Sequence, residues 1–159
     1  MSFRIGLGYD VHPFDPASKL ILGGVEISHH RGLKGHSDAD VLLHAITDAL
    51  LGALCLGDIG AHFPDTDLSF KNADSAILLQ KSYHLVKEKL YTIVNVDATV
   101  VAEEPKLRPY IDQIRTSIAG ILNCDKAQIS VKATTSEKMG FVGRAEGIAV
   151  HAVVLVKKN

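Results

Sequence analysis

Apolar positions along the chain follow two rhythms. Between residues 41 and 56 they crowd nearly every position, and Val41, Leu42, Leu43, Ile46, Ala49, Leu50, Leu51, Ala53 and Leu54 cover most of a helical circumference. That density predicts a buried helix rather than a surface one. Ser37 or Asp38 is expected to cap its start, and Gly57 supplies a stop near the left-handed position that closes helices. At helical spacing Asp40, His44 and Asp48 share one narrow polar stripe. Buried and unsatisfied, such groups cost about 1–3 kcal/mol each, so they must be paired, ligated or open to a cleft.

The second rhythm is alternation. Residues 3–12 set Ile5, Leu7, Tyr9 and Val11 on one face of a strand and Gly6, Gly8, Asp10 and His12 on the other, with Pro13 expected to end regular pairing. Residues 20–27, broken by Gly23-Gly24, predict a short hairpin or a bulged strand, and 29–32 a polar loop. A loop dense in Gly, Pro and Asp spans 57–67, a length that in a compact domain points to function. Helical spacing returns over 73–89, through Ala76, Leu79, Tyr83 and Val86, and again from Pro109, through Ile111, Ile114, Ile118 and Ile121. Strand patterns cover 92–102, 128–134 and 148–156. With no regular strand-helix-strand alternation and no internal repeat, the expected fold is α+β: a mixed β-sheet with helices packed on one face, in a single domain over 1–159.

Composition narrows the function classes. At 159 residues the chain can bury a core without disulfides or structural metal. A formal net charge of -1, with acidic and basic residues interspersed, argues against a nucleic-acid surface or a polybasic membrane contact. Cys55, inside the apolar helix, and Cys124 match no metal or redox spacing and read as reduced filler. No apolar run reaches membrane length and no secretory leader is evident, so a cytoplasmic protein or a processed organelle form is expected.

Asp10 and His12 point from one face of a strand, and His44 comes from the helix's polar stripe. Three such ligands suit a tetrahedral zinc-like ion with an open fourth position, and Asp48 stands one turn further on as a partner behind the ligands. The alternative is local pairing of Asp10 with two satisfied core histidines; the cost of the buried stripe favours metal. His36-Ser37-Asp38 offers either an anion site at the helix start or plain capping. Thr134 and Glu137 have capping-box spacing, yet Thr134, Thr135 and Ser136 also suit a phosphate cradle in which Glu137 holds a hard cation. Gly140 and Gly143 follow too soon for a real helix, and the turn they make carries Arg144 and Glu146 as a possible pair. His29, His30, His62, His84 and His151 share no spacing and read as solvated or structural.

The segments 8–12 (Gly-Tyr-Asp-Val-His), 36–41, 57–60, 63–67 and 133–147, in this order, resemble the 2-C-methyl-D-erythritol 2,4-cyclodiphosphate synthases of the non-mevalonate isoprenoid pathway. The resemblance spans nearly the whole chain. It implies a homotrimer of α+β subunits with active sites between neighbours, releasing cytidine monophosphate from a cytidine-diphosphate substrate as the cyclic diphosphate forms. It further implies Asp10, His12 and His44 as zinc ligands and Glu137 as the ligand of a magnesium or manganese ion. His36 and Ser37 would meet the phosphorylated arm of the substrate, and Asp58 and Gly60 the sugar hydroxyls beside Asp65. Ala102, Lys106, Leu107, Ala133, Thr134 and Thr135 would line the cytidine and diphosphate pocket, with Lys132 and Thr135 steadying the diphosphate. The expected catalytic group is then His36, Ser37, Thr135 and Asp48. Tyr9, Phe141, Arg144 and Glu146 match a central trimer cavity suited to isoprenoid diphosphates. Three mild departures occur: Ala39 and Ala145 replace common glycines, and Leu7 stands where some members carry His. Two rival readings stay open: a zinc-dependent phosphohydrolase with Asp48 or Asp58 as base, and a non-catalytic isoprenoid-diphosphate-binding module. Three converging ligands rather than four favour catalysis.

Overall fold

The computed structural model of the chain describes residues 2–64, 66–67 and 73–159. Its longest strands alternate as the sequence predicts: β1 (Phe3–Asp15), β5 (Tyr91–Val101) and β7 (Gly147–Lys158). Short strands β2 (Leu20–Leu22) and β3 (Val25–Ile27) form the hairpin broken at Gly23-Gly24, and β4 (Gly32–Leu33) adds two pairings to β1 where a polar loop was expected. The helices are α1 (Val41–Ala53), α2 (Ile59–His62), α3 (Ser75–Glu88), α4 (Ile111–Leu122) and α5 (Gly140–Gly143), and β6 (Ile129–Thr134) completes the main sheet. Strand order in that sheet is β4-β1-β7-β5-β6, antiparallel except for the parallel β5-β6 pair. This is the expected α+β architecture with a mixed sheet.

Helix α1 is buried along nearly its whole length, and its position is set by two glycines. A Cβ on Gly6 would stand 1.8 Å from the Ala49 carbonyl oxygen, and one on Gly8 1.9 Å from that of Ala45. Helix backbone therefore lies directly on strand backbone, closer than any side chain permits. Leu42, Leu43, Ile46 and Leu50 fill the space between α1 and its neighbours, while Val96, Ala98, Val100, Val150, Ala152 and Val154 supply the sheet's inner face. The outer face is apolar but open: Ile5 is 69% exposed, Leu7 68% and Tyr9 48%. No helix among the described residues is long and apolar enough to cross a membrane.

Several local expectations are corrected. Helix α1 begins at Val41, capped by Asp40 rather than by Ser37 or Asp38. Ala39 takes a φ of 58°, which keeps residues 37–39 out of helical register. Asp40 thus leaves the polar stripe. It is fully buried, and its carboxylate accepts from the amides of Gly23 (2.9 Å), Gly24 (2.7 Å) and Leu43 (3.1 Å). At the other end Gly57 has the expected positive φ, 88°, but Cys55, at φ 56°, is the left-handed residue directly after the cap, with the amides of Cys55 and Leu56 closing on the carbonyls of Gly52 and Leu51. Cys55 is accordingly exposed rather than inside the helix. Pro13 does not stop β1: it sits opposite Gly147 and its carbonyl accepts from the Lys34 amide. The glycines at 140 and 143 bound a single helical turn, so α5 exists where only a turn was expected.

Candidate active site

The glycine contact that seats α1 on β1 also builds a cluster at its second turn. With Gly8 against Ala45, the next inward positions on the strand, Asp10 and His12, meet His44. Asp10 Oδ2 lies 3.0 Å from His12 Nε2 and 3.1 Å from His44 Nδ1, and the two ring nitrogens are 3.2 Å apart. Ligands arranged tetrahedrally about an ion at about 2.0–2.1 Å stand about 3.3 Å from one another, so this near-equilateral triangle fits three corners of such a site. The residues could hold a metal ion, with the fourth direction facing the adjoining cavity.

Each ring is oriented by its far nitrogen. His12 Nδ1 lies 2.7 Å from the Lys34 carbonyl, to which only N–H can donate, leaving Nε2 as the acceptor toward the ion. His44 Nε2 lies 2.8 Å from Ser75 Oγ and 3.0 Å from Ser37 Oγ. The Ser75 hydroxyl donates to the Asp38 carboxylate, which also accepts from the Ser75 amide at 3.1 Å. His44 is therefore backed by Ser75 and Asp38. Burial alone would raise the Asp10 carboxyl, but the bonds and charges of His12 and His44 hold it well below the usual carboxylate range. Burial would likewise lower His12, and the Asp10 carboxylate with the Lys34 carbonyl raises it instead.

A cavity of about 420 Å³ opens beside the triangle, and His36, Ser37, Asp48 and Gly60 reach it. Asp48 is not bonded to His44. Its carboxylate accepts from the Ile59 amide at 2.7 Å and so anchors α2 at the cavity wall, while burial pushes its carboxyl up. Asp58 does not line the cavity; it caps α2 by accepting from the Ala61 amide at 2.9 Å. The α1 start is capped by Asp40 from inside the core, and His36 and Ser37 line the cavity ahead of it. Asp65 lies outside the described residues.

The other predicted site residues gather elsewhere. A second cavity, of about 320 Å³, is lined by Ala102, Lys106, Leu107, Lys132, Ala133, Thr134 and Thr135. It shares no lining residue with the first. Lys132 is paired there with Asp97. Thr134 makes no capping box with Glu137; the nearest side-chain partner of the Glu137 carboxylate is Thr135 Oγ1, at 3.4 Å. Phe141 is exposed, and Arg144 Nε donates to Glu146 at 2.6 Å. A further group, His29, His30 and Glu104, brings three potential ligand atoms together, but the Arg31 guanidinium already holds the Glu104 carboxylate and would face any cation there.

With this geometry in view, a family model described as the YgbB family matches residues 3–157. The chain belongs to the YgbB family. It is 58% identical over 156 residues to the 2-C-methyl-D-erythritol 2,4-cyclodiphosphate synthase of Mannheimia succiniciproducens, covering 98% of each chain. Among solved structures, IspF of Plasmodium falciparum in a CDP complex is 40% identical with a TM-score of 0.87, over 99% of this chain and 98% of that one. The bifunctional IspDF of Campylobacter jejuni gives 47% identity and a TM-score of 0.96 over 99% of this chain, which spans 43% of that longer protein.

Ala39 and Ala145, where the resemblance led glycine to be expected, sit at φ 58° and 53°, backbone in which glycine is the unstrained residue. The polar partners Ser75 and Asp38 were not foreseen. Ser75 opens α3, and its only sequence signal is the Asp-Ser pair at a helix start, which reads as a cap.

Proposed function

We infer that the chain is a 2-C-methyl-D-erythritol 2,4-cyclodiphosphate synthase, converting 4-diphosphocytidyl-2-C-methyl-D-erythritol 2-phosphate into the 2,4-cyclodiphosphate with release of CMP. The observation that carries this reading is the three-cornered Asp10, His12 and His44 set open to a cavity of about 420 Å³, in a chain 58% identical to such a synthase. An oxygen of the 2-phosphate attacks the β-phosphorus, the β-phosphorus–oxygen bond to the α-phosphate breaks, and its electron pair leaves with CMP. No protein nucleophile enters. The chain's work is to press two anionic groups into line and to offset their charge.

Asp10, His12 and His44 would hold zinc, and Glu137 a magnesium or manganese ion; when bound, these ions supply Lewis-acid polarisation of the phosphate oxygens. His36 and Ser37 bind the phosphorylated arm from the wall of the first cavity. Gly60 brings backbone close to the sugar hydroxyls, with Asp58 and Asp65 as side-chain partners, and Asp48 keeps that wall in position through Ile59. The second cavity takes cytidine and diphosphate, with Lys106 and Lys132 as cations and Thr134 and Thr135 as hydroxyl donors. CDP bound to the Plasmodium relative supports a nucleotide as ligand of this fold.

The two cavities share no lining residue within one chain, which suits a site completed by a second copy. The open apolar face of β1 and β7, with Ile5, Leu7, Tyr9, Val11 and Val153, supplies a surface for a homotrimer. Tyr9, Phe141, Arg144 and Glu146 then surround a central space suited to an isoprenoid diphosphate, whose anionic end competes with Glu146 for Arg144. Charged substrate and product do not cross lipid, which favours a cytoplasmic or stromal location. The hydrolase alternative loses support because both candidate bases are engaged, Asp48 by Ile59 and Asp58 by the α2 cap.

The test is to supply the cytidine-diphosphate substrate with and without a chelator. CMP and the cyclic diphosphate should appear in equal amounts and stop together when metal is removed. CMP without cyclic product would turn the reading into a hydrolase, and a fully active monomer would break the shared-site proposal.

A further inference from the structure

Glu103 does something that none of the assignments above uses. One of its oxygens, Oε1, receives the Ser136 amide at 3.0 Å and the Lys138 amide at 3.2 Å, and lies 3.2 Å from Ser136 Oγ. The residue between those two amides is Glu137. Glu137 and Lys138 are consecutive non-glycine residues in the left-handed region, at φ 53° and 60°. Two such residues in a row are unfavourable and persist where surrounding bonds over-determine them. Here the determining bonds converge on one carboxylate from outside the turn, some thirty-five positions earlier in the chain.

The same residue joins the two walls of the nucleotide cavity. Ala102, just before Glu103, donates its amide to the Thr134 carbonyl at 2.9 Å, so the 102–108 wall and the 131–135 wall meet at this point, just ahead of the turn at 136–138. The Glu103 side chain lies against the turn, where the two amides and the Lys138 charge favour its carboxylate form.

We propose that Glu103 is the positioning residue for Glu137: by gathering the Ser136 and Lys138 amides on one oxygen it fixes the turn that presents the Glu137 carboxylate to the divalent ion on the nucleotide diphosphate. This rests on the reading of Glu137 given above. Glu103 lines the same cavity, and its proposed role there is exercised through Glu137.

The experiment measures CDP binding to the zinc-loaded protein by calorimetry, with and without magnesium, for the wild type, Glu103→Ala, Glu103→Gln and Glu137→Gln. Binding without magnesium reads the cavity, and the gain on adding magnesium reads the presented carboxylate. Glu103→Ala should keep its zinc content and lose about tenfold of the magnesium gain, matching Glu137→Gln, a larger loss than any its cavity-lining side chain causes in magnesium-free binding. Glu103→Gln should retain the gain, since its amide oxygen accepts the same two backbone donors. The proposal is overturned if Glu103→Ala keeps the full gain, if Glu103→Gln falls as far as the alanine variant, or if Glu103→Ala weakens magnesium-free binding equally. A wild type with no magnesium gain overturns the Glu137 assignment itself, and this proposal with it.

Discussion

The two cavities are built on opposite principles. The Asp10, His12 and His44 side rests on backbone-to-backbone packing of α1 on β1, and both ring orientations are fixed by groups behind them. The Lys106, Lys132 and Thr135 side stands on exposed positions of β6 and on a left-handed turn held from outside. Metal ligands must be fixed to within tenths of an ångström, and rigid elements give that precision. Contacts to a flexible ligand tolerate more movement, and an exposed surface supplies them. Rigidity and openness are thus divided between two places on one chain.

The most damaging change falls on the packed side. Gly8→Ala would drive a methyl into the Ala45 carbonyl, 1.9 Å from the new carbon, and the helix backbone has nowhere to yield. A loss of about 3 kcal/mol in urea unfolding is expected, together with loss of bound zinc, because His44 moves with α1. Unchanged stability and metal content would dissolve the distinction between the two sides.

Ser75→Ala tests the outer bonds without touching a ligand. His44 Nε2 would keep only Ser37 Oγ at 3.0 Å, and Asp38 would lose the hydroxyl it accepts from. Metal affinity should fall about 10–100-fold, with nucleotide affinity unchanged. Competition with a chromogenic chelator measures the first and calorimetry with CDP the second.

How much of this was legible in the sequence depends on reach. The dense apolar run gave α1, and alternation gave β1 with the correct faces, because both signals are local. That Asp10, His12 and His44 come together was legible too, since two of them are two residues apart on one strand and the third sits on a stripe that burial makes costly. Partners distant in sequence were not. Asp40 looked like a stripe residue because its donors, Gly23 and Gly24, reach it only through the tertiary fold. Ser75 meets Asp38 across 37 positions, and Asp48 turned out to bond a backbone amide instead of His44. Helix ends went astray for a related reason: left-handed alanine and cysteine at positions 39 and 55 hold where glycine was the expected signal.

Proton competition gives a smaller, graded effect. In the metal-free chain Asp10 is held below its ordinary 3.8 and His12 above its ordinary 6.5. The Asp10 contribution to stability is present above 3.8 and lost as pH falls through the depressed value. That of His12 is present below 6.5 and lost as pH rises through the raised value. Stability from this pair is therefore greatest between about pH 4 and 6.5. Metal must displace the His12 proton, so affinity should fall about tenfold per pH unit below the raised His12 value. Zinc titrations at pH 8 and pH 6 measure this, and a flat profile would remove His12 from the ligand set.

The smallest effect compares the two alanines that occupy left-handed backbone. Ala145→Gly relieves strain at a half-buried position, and a gain of about 1 kcal/mol in unfolding free energy is expected. Ala39→Gly relieves the same strain, but Ala39 is 2% exposed and its methyl is packed in the core. Deleting that methyl costs about 0.8 kcal/mol, so the two terms nearly cancel and little change should be measured. A gain at both positions would mean that the packing around residues 39–44 is looser than the metal triangle requires. A gain at Ala145 alone would tie the tightness of the core to the side of the molecule where ligand geometry needs it.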